Sequence, residues 1–192
     1  AAVAHLKSIG RPVEALCGAE LRSPKPFTNA GFAEFNNLYV AKLEAIGVRK
    51  DGVTPSTRSN VAPIDAPPAE VALYAFSYTA PSARKEKTFV ASGAADVDDN
   101  GPVAAGDTSA EGIRTKARFV WGELAAVMRN LNVDPATITA TNFYTAEPLN
   151  HNLLKIMHSE GIHGARWYYT LPPIEGLSFE VDVRCTYRDE WI

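Results

Sequence analysis

Apolar and polar positions change their spacing several times along the chain, and each change marks an element. Residues 1–9 read as a short helix closed by Gly10, and residues 12–21 follow as a strand. Ser23-Pro24-Lys25-Pro26 breaks the chain. Thr28 or Asn29 can then cap a helix whose Phe32, Phe35, Leu38, Tyr39, Leu43 and Ile46 recur at helical spacing up to Gly47. Residues 58–61 and 71–78 read as strand, turn, strand around Ala66-Pro67-Pro68. Residues 88–95 look like a buried strand, 98–101 a turn, and 109–128 a long helix opened by Ser109, with Ile113, Ala117, Val120, Trp121, Leu124 and Met128 as its apolar stripe. Helix over 124–131, strand over 134–144 and helix over 149–160 lead to Gly161.

The last stretch, 164–187, carries Arg166, the aromatic run Trp167-Tyr168-Tyr169, a Leu171-Pro172-Pro173 turn and an alternating strand. Successive strand side chains point to opposite faces, so Phe179, Val181, Val183 and Cys185 pack inward while Glu180, Asp182 and Arg184 face the other way. The expectation is a two-stranded hairpin that brings Arg166 close to Glu180. Glu180 then is either solvated or lines a site.

The order of elements occurs twice. Gly47-Val48 matches Gly161-Ile162, Arg58 matches Arg166, and Tyr78 falls near Tyr187. Residues 1–79 therefore read as a partial half-domain, helix-strand-helix-hairpin, and residues 80–192 as the complete domain. The boundary falls in the exposed connector that contains Pro81, Ser82 and Arg84-Lys85-Glu86-Lys87.

At 192 residues, with 46% hydrophobic and 21% charged positions, the chain can bury a sizeable core. A net charge of −3 with scattered Lys and Arg argues against nucleic-acid partners, leaving small molecules or proteins. Cys17 and Cys185 fit buried reduced thiols, and a cytoplasmic location is expected. No apolar run approaches the ~20 residues of a membrane span, and residues 1–5 show no signal-peptide pattern.

Phe89-Val90-Ala91-Ser92-Gly93, then Gly106-Asp107-Thr108-Ser109-Ala110-Glu111, Arg114, Leu124, Phe143-Tyr144, Ala165-Arg166 and Phe179-Glu180-Val181-Asp182-Val183 resemble the RidA/YjgF family of enamine and imine deaminases. The resemblance runs from about 73 to 187, and residues 13–78 resemble the second half of the family again. It implies an α+β, chorismate-mutase-like fold: a mixed sheet with two helices on one face, here preceded by a half-domain of similar order. It also implies a homotrimer or a multiple of one, with sites between neighbouring protomers. By the same resemblance Arg166 holds a substrate carboxylate, Glu180 works as proton carrier beside the attacking water, and Ser92, Tyr78 and Tyr168 line the pocket. The chain departs from the family at Ala94, where glutamine is usual, and at Gly164-Ala165-Arg166-Trp167, and its aromatic run makes for a bulkier pocket.

Hydrolysis of such a substrate needs an iminium, a placed water and an anchored carboxylate. A planar guanidinium supplies the anchor, a carboxyl group of raised pKa the proton, and neither a cofactor nor a metal is called for. Arg58 is a further substrate-binding candidate, although its copy lacks a glutamate. Either it shares the carboxylate role at an interface or that half-site has decayed, decay being preferred. Residues 96–107 follow calcium-loop spacing in part but read as a hairpin turn, and His151, His158 and His163 read as surface or core histidines. The expected function is a deaminase acting on a carboxylate-bearing enamine or imine, conceivably of the 2-aminomuconate type. The competing readings are a non-catalytic ligand-binding or scaffolding relative, or a mutase or lyase acting on a chorismate-like diacid.

Overall fold

A computed structural model describes residues 1–148, 162 and 164–192. The helix expected over 149–160 and the histidines at 151, 158 and 163 lie outside these residues. In chain order the elements are α1 (Ala2–Ser8), β1 (Leu16–Arg22), α2 (Asn29–Ala45), β2 (Thr57–Pro63), β3 (Ala72–Tyr78), β4 (Phe89–Ala95), β5 (Val97–Asp98), β6 (Gly101–Pro102), α3 (Ala110–Leu131), β7 (Ala140–Tyr144), β8 (Ala165–Tyr168), β9 (Thr170–Leu171) and β10 (Glu180–Cys185).

Local chemistry explains most of the boundaries. Thr28 and Ser109 cap α2 and α3 by accepting the N–H of Gly31 and Gly112, each at 3.1 Å. Asn132 ends α3 in the left-handed region at φ 51°, a conformation asparagine tolerates better than most side chains. Asp98 accepts the Asn100 N–H at 2.7 Å and tightens the β5–β6 hairpin, which occupies the stretch with calcium-loop spacing.

The chain is mixed α+β, and it builds two four-stranded sheets, in the orders β3-β1-β2-β9 and β4-β10-β7-β8. The hairpins expected over residues 58–78 and 164–187 do not form. β1 lies between β2, parallel to it, and β3, antiparallel; β7 likewise lies between parallel β8 and antiparallel β10. A parallel neighbour needs a long crossover, and α2 supplies the one between β1 and β2. After β8 the chain leaves its sheet. Thr170 and Leu171 pair with Pro63 and Ala62 of β2, and Pro172 and Pro173, having no N–H, cannot extend the ladder.

The apolar face of β10 packs as expected: Phe179, Val181, Val183 and Cys185 join Ile113, Val120, Leu124 and Met128 of α3 in the larger core. A smaller core gathers Ala2, Leu6, Leu16, Leu43 and Val48 around α1 and the end of α2. The expected burial of the α2 stripe is mostly absent: Leu43 alone is buried in that helix, and Leu38 is 66% exposed. Its aromatic rings pack on one another instead, Phe27 on Phe35 at 5.2 Å and Phe35 on Tyr39 at 6.2 Å. Among the described residues no helix is long and apolar enough to cross a membrane.

Candidate active site

The polar faces of the two sheets meet. From β1 come Glu20 and Arg22; from β7, Asn142 and Tyr144; from β10, Glu180, Asp182 and Arg184; all are buried. Arg184 donates to Glu20 at 2.6 Å and to Asp182 at 2.8 Å, and Arg22 reaches Glu20 at 3.3 Å. Asp182 also accepts from Asn142 Nδ2 at 2.9 Å and from the Tyr144 hydroxyl at 2.6 Å. Arg22 lies 4.0 Å from the centre of the Tyr74 ring and 5.5 Å from those of Tyr144 and Tyr168. Buried charge is tolerated when paired and hydrogen-bonded, and here two acids and two bases satisfy one another.

Glu180 is different. It is 2% exposed, and among the described residues no hydrogen bond or ion pair reaches its carboxyl group. Burial pushes its pKa well above the ordinary carboxylate range, the charges of Asp182 and Asp96 push the same way, and Arg58 and Arg22 pull it back. Asp182 is also raised by burial, whereas Arg184, despite burial, is held charged above its ordinary value by Asp182 and Glu20. Burial likewise lifts Tyr144 well above the usual phenol range, with Asp182 and Glu20 adding to it.

The guanidinium that faces this acid without being tied up by another carboxylate is Arg58. It donates to Asn36 Oδ1 at 2.6 Å and lies over the rings of Phe32, Phe35 and Tyr39 at 5.5, 5.2 and 4.7 Å. Burial lowers its pKa, opposed by Tyr39 and Glu180. Beside it, Thr57 and Ser92 share a hydrogen bond of 2.7 Å. Gly93, at φ 84°, brings β4 so near β2 that a Cβ there would stand 3.1 Å from the Arg58 carbonyl. Ser92, Ala94 and Ala95 with Glu123 and Val127 of α3 line a cavity of about 190 Å³, whose lining includes neither Arg58 nor Glu180.

The sequence-derived candidates therefore fall in different places. Ser92 meets Thr57 next to Arg58, and Arg58 and Glu180 are near enough for each to shift the other's pKa. Tyr168 borders the same inter-sheet space, stacked on Tyr144 at 5.2 Å, with burial raising its pKa. Tyr78 packs on His5 and Phe76 in the smaller core. Arg166 is exposed and pairs with Asp189 at 3.2 Å. Its expected closeness to Glu180 is not found, because β7 separates the two strands: Arg166 stands opposite Asn142, and Glu180 opposite Tyr144.

Glu20, Arg22, Asp182 and Arg184 were not singled out by sequence reasoning. Their signal was present: charged residues alternating with apolar ones in both Glu20-Leu21-Arg22 and Glu180 to Arg184, the pattern of strands whose second face meets another polar face. Among the described residues no group of three or more His, Cys, Asp or Glu is placed to hold a metal ion.

No solved structure matches this chain. A curated relative, the 2-amino-5-chloromuconate deaminase of Comamonas testosteroni, is 39% identical over 195 residues, covering 96% of this chain and 78% of the relative. The family described as 2-aminomuconate deaminase CnbZ matches residues 1–190. A match running through both sheets, and through the polar seam between them, means that the chain belongs to the CnbZ family of 2-aminomuconate deaminases.

Proposed function

We propose that this protein is a hydrolytic deaminase that converts a conjugated, carboxylate-bearing enamine or imine of the 2-aminomuconate type into the 2-oxo acid and ammonia, without a cofactor. The observation that carries this reading is the Glu180 carboxyl group, buried and without a hydrogen-bond partner among the described residues, yet in electrostatic contact with Arg58. A buried carboxyl group whose pKa is raised by its surroundings can serve as a general acid.

In the proposed reaction Arg58 binds the carboxylate next to the amino-bearing carbon. Its planar fork suits that group, and its stacking on three rings fixes the fork's direction. Glu180 gives its proton to the enamine carbon, turning C=C–NH2 into C–C=NH2+. Water adds to the iminium carbon and loses a proton to the Glu180 carboxylate. That proton passes to nitrogen, the C–N bond breaks and nitrogen leaves as ammonia, and the hydroxyl gives its proton back to the Glu180 carboxylate as the carbonyl forms. Thr57 and Ser92 offer hydroxyls to the water, and the Tyr168 ring offers a flat wall to the conjugated substrate.

The chorismate-mutase-like fold and the duplication belong to the same proposal. They are supported by the shared strand order and orientation of β3-β1-β2 and β10-β7-β8. In this reading the half-domain of residues 1–79 stands where a neighbouring protomer would stand, and gives Arg58 to the Glu180 of the domain over residues 80–192. Arg166, the residue favoured by the family resemblance, belongs to a second reading in which the chains form trimers. Its exposed guanidinium, held by one ion pair at 3.2 Å, is free to enter a site on a second copy. The two unpaired thiols, Cys17 and Cys185, support a cytoplasmic setting.

The test is enzymatic ammonia detection with 2-aminomuconate generated in situ, using the parent chain and Glu180→Gln, Arg58→Ala and Arg166→Ala variants. The proposal expects ammonia release well above the spontaneous rate, with loss of about 10²-fold or more in kcat for Glu180→Gln. Ligand-dependent melting without ammonia release would assign the chain to the binding or scaffolding class. Isomerised diacid as the product would assign it to the mutase or lyase class.

A further inference from the structure

The apolar stripe of α3 contains one charged residue. Lys116 follows Ile113 by three positions and precedes Val120 by four, and it is 1% exposed. A buried ammonium is costly, and a leucine would suit the stripe better. Its partner is Asp96, 0% exposed, at the junction of β4 and β5: Lys116 Nζ lies 3.1 Å from Asp96 Oδ2 and donates to Ser178 Oγ at 2.6 Å.

Asp96 in turn holds the backbone that leads into β10. Its carboxylate accepts the Ser178 N–H at 3.1 and 3.2 Å, the Phe179 N–H at 3.1 Å and the Ser178 hydroxyl at 3.2 Å. Its own N–H donates to the Phe179 carbonyl at 2.9 Å, and its carbonyl accepts from Val103 at 2.9 Å. The next residue along the chain is Glu180. Three segments distant in sequence thus converge on the peptide units just ahead of the one buried carboxyl group that lacks a hydrogen bond among the described residues.

We propose that Asp96 and Lys116 are positioning residues of the active site, a buried clamp that fixes where the Glu180 carboxyl group stands and adds a negative charge behind it. The inference rests on the reading of Glu180 as the proton carrier. The clamp acts by geometry, because two N–H groups tied to one carboxylate leave the Glu180 Cα little room to shift, and a displacement of about 1 Å at a reacting group costs on the order of 10²-fold in rate. It acts also by charge. The groups facing Glu180 are Asp182 on its own strand, Arg58 from β2, Arg22 from β1 and Asp96 from the β4–β5 junction. Of these, Asp96 is the one paired with Lys116 and bonded to the N–H groups of Ser178 and Phe179.

The experiment compares the pH dependence of kcat for the parent chain, Asp96→Asn and the double variant Asp96→Asn/Lys116→Met, each checked for parental far-ultraviolet dichroism. Asparagine still accepts the two N–H groups through Oδ1, and the double variant leaves no unpaired buried charge. Loss of the Asp96 charge lets Glu180 ionise more easily, so the alkaline limb of the profile moves to lower pH and kcat at neutral pH falls about tenfold or more, with KM little changed. The double variant removes the Lys116 charge together with that of Asp96, so its alkaline limb stays near the parent's, and a folded Asp96→Asn variant whose kcat and alkaline limb overlay those of the parent overturns the inference. Glu180→Gln, assayed alongside, separates the two claims. Full activity in that variant removes the reading of Glu180 itself, whereas its inactivity beside an unaltered Asp96→Asn variant removes only the clamp.

Discussion

Glu180 should weaken the fold at the pH where the proposed reaction runs. Its pKa is raised well above 4.5 in the folded chain, chiefly by burial. At low pH the group is protonated in both states, and whatever the folded pocket offers the neutral acid is fully present. As pH rises past the unfolded value the unfolded chain ionises while the folded chain holds its proton, so stability is lost until the folded pKa is passed. Each unit of elevation amounts to about 1.4 kcal/mol, and 1 kcal/mol moves the melting midpoint of a chain of this size by about 2–4 °C. Glu180→Gln keeps the shape and cannot ionise. It should therefore melt several degrees above the parent at pH 8 and within about a degree of it at pH 4.5, while losing about 10²-fold or more in kcat. Scanning calorimetry at five pH values, with the ammonia assay on the same preparations, reads both quantities. A glutamine variant that melts below the parent at pH 8, or tracks it in parallel at every pH, would refute the claim that burial outweighs the nearby arginines and raises this group's pKa.

Other substitutions separate the roles of neighbouring residues. Arg58→Lys keeps the charge and loses the fork, and should reduce kcat/KM by about 30- to 150-fold, corresponding to about 2–3 kcal/mol for a charge-assisted pair; steady-state kinetics within twofold of the parent would remove Arg58 from the site. Glu20→Ala leaves Arg22 and Arg184 facing each other without their shared anion, and should cost about 3–5 kcal/mol in urea denaturation. Gly93→Ala meets both a left-handed backbone and the Arg58 carbonyl at 3.1 Å, and should cost about 1–2 kcal/mol by thermal melting while lowering activity through the displaced β2.

How much of this was legible beforehand depended on whether the signal was local. Capped helices were readable because Thr28 and Ser109 stand in front of their own orphan N–H groups. The two faces of β10 were readable because alternation lies within one strand. Pairing was not local. Nothing in residues 164–185 says that β7 comes between Arg166 and Glu180, and the proximity of those two positions in the sequence suggested a hairpin. Arg58 was harder still. Within its own copy it has no glutamate, so it looked like a remnant, and only the packing of the first sheet on the second brings its charge to bear on Glu180. Lys116 could have been noticed as a cation on an apolar stripe, but its partner lies twenty residues earlier, in a segment whose aspartates invited a different reading.

The departure of β9 from its own sheet has a mechanical consequence. Because Thr170 and Leu171 are stitched to β2, and Phe27 bridges to Ile174, the early and late parts of the chain are interlocked like clasped fingers. Cutting the exposed connector at Arg84 or Lys85 should leave two peptides that still travel as one species in gel filtration and melt in one cooperative step. A protein whose reacting groups come from opposite ends of its sequence would in that way keep them in step even with the thread between them severed.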